Sequence, residues 1–111
     1  MLDFEKLGLS DAEISAIAMV GDELHVTYVD WQERIRRLRF GNVAGYQAFC
    51  PERRELSHGT LDLEDPLIGV ACKMAGESFT QGFKVYSFVS VWAEGLVLRV
   101  IAQEVFLDST D

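Results

Sequence analysis

A chain of 111 residues and 12.5 kDa is sized for one domain, residues 1–111, and 49% hydrophobic against 25% charged residues excludes an intrinsically disordered polymer. The net charge of −8 repels nucleic acid and anionic membrane and speeds encounter with basic proteins. Two cysteines, 22 positions apart, are too few for a disulfide scaffold or a zinc cage, and no apolar run reaches the ~18 residues of a membrane span.

In chain order, Phe4 and Leu7 fit one side of a short helical turn, with Gly8 as its stop. Ser10-Asp-Ala-Glu13 has the S-x-x-E spacing of a capping box and predicts a helix start. Ile14–Val20 fits both a helical face at 14, 17 and 18 and a two-sided strand; the hairpin signal Gly21-Asp22, with glycine ready for a type II′ turn, favours the strand. Leu24, Val26 and Tyr28 then alternate with His25, Thr27 and Val29, as on a half-buried strand, and Asp30–Glu33 suits a turn led by aspartate. Arg34–Phe40 is the next predicted strand; its apolar positions 35, 38 and 40 need a bulge near Arg36-Arg37 to share a face. Gly41–Phe49 is expected to be extended but irregular, and Cys50–Gly59 an exposed loop.

Asp65 as N-cap, Pro66 at the first helical position and Gly76 just past the end delimit a helix. Its expected buried face is Leu67, Val70, Ala71 and Met74, widened by Ile68, Cys72 and Ala75, and Gly69 within it suggests a close backbone approach. Lys84–Trp92 is apolar on both faces, as an interior strand is, with Trp92 expected in the core. Ala93-Glu94-Gly95 forms the loop and Leu96–Phe106 the return, ahead of a frayed tail. The sum is an α+β domain: an antiparallel sheet of about five strands with one central helix packed on one face.

Charge is unevenly placed. Residues 34–54 sum to +5 and the rest of the chain to −13. Because Ile35, Leu38 and Phe40 interleave the arginines, that segment reads as a strand whose outer face pairs with carboxylates on neighbouring strands. Its alternative is a phosphate-binding patch of Arg34, Arg36, Arg37 and Arg39. Asp62, Glu64 and Asp65 precede the helix, where a cap and the helix dipole account for one or two acids but not three. Asp22, Glu23 and Glu94 lie at hairpin tips; if the tips and the helix entrance share a sheet edge, the six acids form one rim. Trp31 and Tyr46 are candidate aromatic anchors beside it, with ordinary burial as the alternative for each.

Catalytic signals are sparse. Cys50 and His58 share a predicted loop without any signature around them, and His25 sits mid-strand as a half-exposed structural residue. His25, His58, Cys50 and Cys72 have none of the spacings that preorganise a metal, and the glycines make no phosphate cradle. No catalytic residue, metal or cofactor is therefore assigned.

Leu24-His-Val-Thr-Tyr-Val-Asp-Trp31, Phe40 after a charged strand, Phe83–Trp92, Glu94-Gly95-Leu96 and Ile101-Ala102 together resemble small bacterial immunity proteins. These accompany polymorphic toxins, including contact-dependent growth inhibition systems. The resemblance implies a cytosolic protein that binds and blocks one cognate toxin domain, often a nuclease; the expectation for this chain is a non-enzymatic monomer or homodimer that covers the toxin's active site. Three alternatives are a structural or adaptor subunit that self-associates through its sheet, nucleic-acid binding through Arg34–Arg39, and an enzyme using Cys50 and His58.

Overall fold

The structure, a computed structural model, describes residues 2–49, 55–77, 80–91 and 95–109. The expectations for Cys50, Trp92 and Glu94 lie outside the described residues. Eight strands form: β1 Glu13–Val20, β2 Glu23–Val29, β3 Ile35–Gly41, β4 Gly45–Ala48, β5 Leu56–Asp62, β6 Lys84–Ser90, β7 Leu96–Ala102 and β8 Glu104–Ser109. One helix, α1 Pro66–Met74, lies between β5 and β6, and Phe4–Lys6 make a single 3-10 turn. The strands assemble into two antiparallel sheets, ordered β1-β2-β3-β8 and β4-β7-β6-β5, not into one sheet of about five.

The strand signals that were legible act as the pleat requires. Gly21 takes φ 65° in the two-residue turn, so Val20 faces Glu23 across the β1–β2 hairpin. Leu24, Val26 and Tyr28 are buried while His25, Thr27 and Val29 are half-buried. β3 joins β2 in an unbroken register, from Leu24 opposite Phe40 to Val29 opposite Ile35. The bulge expected at Arg36-Arg37 is therefore absent: Ile35 shares the outer face with Arg37 and Arg39 and is 52% exposed. The irregularity falls in β1 instead, between Ile14 and Ala16.

Two corners join the sheets around one core. At the first, the chain passes between sheets from β3 to β4 and from β7 to β8; Gly41 lies opposite Glu104, Gln103 N–H donates to Gly41 O, and Ala44 N–H donates to Ile101 O. Leu96–Phe106 thus breaks at Gln103 into strands of two sheets, because a strand that changes layer must bend at the crossing. The expected fraying is corrected as far as Ser109, since β8 pairs along β3 and Asp108 holds Arg37 and Arg39.

At the second corner Asp11 N–H donates to Leu56 O, Leu56 N–H donates to Ala12 O, and Glu13 bridges Glu55. These bonds override the capping box: Asp11 turns at φ 65° and Glu13 opens a strand, not a helix. They also convert residues 56–59 of the expected loop into the start of β5, whose Gly59 is required because a Cβ there would meet the Phe4 ring at 2.7 Å. Phe4, Phe40, Tyr86 and Phe88 pack edge-on between the sheets, among Ile14, Leu24, Val26, Leu38, Leu98 and Val100.

Helix α1 covers the other face of β6 and β7, which is why those strands are apolar on both sides. Asp65 caps it by accepting Leu67 N–H, and Gly76 follows it at φ 78°. The face that packs on Phe83, Val85 and Ile101 is Ile68, Ala71 and Cys72; Val70 is 59% and Met74 84% exposed, contrary to expectation. A helix of nine residues packed on one side buries only a narrow stripe, and its packing on β6 and β7 selects which. The close approach expected at Gly69 is absent too, for a Cβ there meets nothing within 4 Å. Gly69→Ala is accordingly expected to stabilise the fold by about 1 kcal/mol, read as a higher urea midpoint with unchanged slope.

Candidate partner-binding site

Two acids of the anticipated rim, Glu23 and Asp65, are ion-paired within the fold. Glu23 accepts from Arg39 at 3.1 Å and pairs with His25 at 3.2 Å; these two partners, His25 first, hold its carboxyl below the ordinary 4.5. Asp65 caps α1 and also pairs with Arg99, which extends from the helix-covered face of β7. Asp62 accepts Glu64 N–H at 2.9 Å in a local turn. Asp22, Asp62 and Glu64 are exposed. Asp22 lies by Val43, and Val43, Ile101, Val85 and Asp62 follow one another across the end of the sheets, so the β1–β2 tip and the helix entrance do share an end of the molecule. Tyr46, on β4, is exposed.

The arginine strand is likewise internally matched. Arg37 and Arg39 both reach Asp108 at 3.3 Å, Arg39 stacks 4.6 Å over Phe106, and Arg34 and Arg36 reach Asp30 at 3.1 and 3.5 Å. The lateral pairing read from the sequence is what the register produces, since β2 and β8 flank β3 and supply Glu23 and Asp108. His25 is half-buried beside Glu23. His58 is exposed on β5, not in a loop, and its Nδ1 meets Ser57 Oγ at 2.9 Å.

A second acidic feature, most of it unpaired among the described residues, lies at the opposite end of the first sheet, around Trp31. Asp30 builds it: one carboxylate oxygen accepts the N–H groups of Gln32 and Arg34, each at 2.9 Å, and its backbone carbonyl accepts Glu33 N–H. Burial pushes the Asp30 carboxyl up, but those N–H groups and the Arg34 guanidinium together hold it below its usual range. The tight turn rotates Trp31 outward, 64% exposed, and leaves Glu33 at φ 62°. Across from it, the second corner brings Asp11 and Glu13 to the same place. Asp11, Glu13, Val29, Asp30, Trp31 and Glu33 enclose an open cleft of about 400 Å³.

Glu55 joins this group through the Glu13 bridge. Its hydrogen bond with Asp11, then burial, then the charges of Asp11 and Glu13 raise its pKa above the ordinary 4.5. Among the described residues no lysine or arginine pairs with Asp11, Glu13, Glu33 or Glu55. Since the raised pKa favours the folded state below about pH 4.5 and loses that benefit as pH rises, Glu55→Gln should gain stability over the parent at pH 7 and lose the advantage below pH 4. Urea unfolding of both proteins across this range measures it.

Of this cluster only Trp31 was legible as a site. Asp11 and Glu13 carried a capping-box pattern, Glu33 a turn pattern and Glu55 a loop pattern, and nothing local announces that residues 11–13 meet residues 55–56. A cavity of about 940 Å³ opens between β8 and β6 and is lined mainly by Leu2, Phe4, Leu61, Tyr86, Val105 and Leu107. Lys84 on its wall donates to Gln103 O, and Asp3 and Glu104 stand at its polar side. Among the described residues no three histidine, cysteine or acidic side chains are placed to hold a metal, and no helix is long and apolar enough to cross a membrane. Comparison with protein-family models, curated proteins and solved structures gives no match to this chain.

Proposed function

We propose that the chain is a non-enzymatic immunity protein that binds a cationic toxin domain and covers its active site. The observation that carries this reading is the Trp31 cleft: an exposed indole beside Asp11, Glu13 and Glu33, which no lysine or arginine pairs among the described residues, while Asp30 is matched by Arg34 and Arg36. Aromatic side chains supply much of the binding energy at interface centres, and a surrounding field of one sign steers the opposite sign onto it. A nuclease must attract phosphate with a basic cleft, and the Trp31 end is its electrostatic complement. Asp22, Asp62 and Glu64, at the other end, extend the negative field. The arginines of β3, matched by Asp30, Glu23 and Asp108, leave little free charge for a phosphate backbone.

The deciding experiment is rescue. The adjoining gene is expected to encode a large secreted protein with a variable C-terminal domain. Expressed alone, that domain should arrest growth, and co-expression of this chain should restore it through a stable complex whose association slows with salt. A domain that kills equally well in the presence of the chain would overturn the reading.

A further inference from the structure

The two sheets expose four edges, and three of them are guarded. β5 is covered by the N-terminal segment: Glu5 accepts Leu61 N–H, the Phe4 ring lies on Gly59, and Asp11 and Ala12 bond Leu56. β4 is only four residues long. β8 carries Glu104 and Asp108 and runs along the groove lined by Leu2, Asp3 and Phe4. Short length, charge and cover are the usual devices against unwanted strand pairing.

Among the described residues β1 has none of them beyond its first residues. Among the described residues its backbone pairs with β2 alone once Glu13 has bridged Glu55. From Ile14 to Val20 it holds no charge and no proline, the alanines at 16 and 18 leave the backbone open, and Met19 is 44% exposed. Carboxylates flank this neutral stretch at both ends: Asp11, Glu13 and Glu55 at its start, Asp22 at its finish. A second copy pairing antiparallel would set the acidic start of one β1 against the acidic finish of the other, which opposes self-association.

We infer that β1 is a docking edge, and that its occupant is an extended segment of a basic protein, apolar in the middle and bearing lysine or arginine at both ends, which adds to the first sheet as a fifth strand. Main-chain hydrogen bonds then give affinity and the terminal cations give register. The inference rests on the proposed cationic partner and names the manner of its docking.

The test uses the full chain and a short synthetic peptide alternating valine and threonine between lysine–arginine pairs. It also uses the same peptide with its central backbone nitrogens methylated, which keeps charge and side chains but removes donors. The unmodified peptide should bind and slow amide exchange at residues 15–20 by about ten-fold or more, and methylation should weaken binding by about ten-fold or more. Binding without slowed exchange in β1, equal binding of the methylated peptide, or no binding would each overturn strand addition. So would sedimentation of the chain alone as a dimer with β1 protected, since the occupant would then be a second copy. Rescue from the toxin is read separately, so a cationic partner that docks elsewhere is distinguished from no such partner.

Discussion

Phe40→Ala is expected to lower the unfolding free energy by about 3–5 kcal/mol, a large part of the 5–15 kcal/mol typical of a domain. Phe40 is fully buried on β3, and its ring meets Tyr86 at 5.1 Å and Phe4 and Phe88 at 6.2 Å. It is the point at which the first sheet grips the second and the N-terminal turn. Truncation removes apolar burial, leaves a cavity between layers that the two closed corners prevent from collapsing, and forfeits the edge-on ring contacts. Urea unfolding measures the loss, and Phe40→Leu should recover much of it. A shift below 1 kcal/mol would mean that the sheets do not pack through this ring cluster.

Trp31→Ala should have the opposite profile: stability within about 0.5 kcal/mol of the parent, since the indole is mostly in solvent, and at least a 30-fold loss of affinity for the partner. The double reversal Glu13→Lys with Glu33→Lys should slow association, with an effect that shrinks as salt screens it. The same reversal at Asp62 and Glu64, on the other end of the molecule, should change association much less. Calorimetry and stopped-flow kinetics with the toxin domain separate these effects. If the reversal at Asp62 and Glu64 were the more damaging, the binding surface would be the helix entrance and not the Trp31 cleft.

The sequence carried those features whose cause is local. The Gly21-Asp22 turn, the alternation from Leu24 to Val29, the Asp30 turn and the cap-to-stop limits of α1 each depend on a few consecutive residues, and each is found in place. Local signals mislead where distant chain segments compete with a local preference. Ser10–Glu13 satisfies a helix start, yet its backbone bonds to Leu56. A bulge at Arg36-Arg37 follows only if Ile35 is buried, and Ile35 is exposed. Val70 and Met74 are legitimate members of an apolar helix face, but the sheet accepts a different stripe. The candidate site divides in the same way: Trp31 is exposed by its own turn, whereas Glu23 and Asp65 find partners on β3 and β7, and Glu55 reaches the cleft through a bridge between sheets.

By itself, then, the sequence determined a small, acidic, strand-rich domain with one capped helix, because composition, pleat alternation and turn chemistry are properties of neighbours along the chain. Only the tertiary structure decided that the strands split into two sheets at Gln103, and which carboxylates were neutralised and which were left facing solvent around Trp31. Whether a charge is spent or available depends on what another strand places within about 4 Å of it, a distance that sequence separation does not encode.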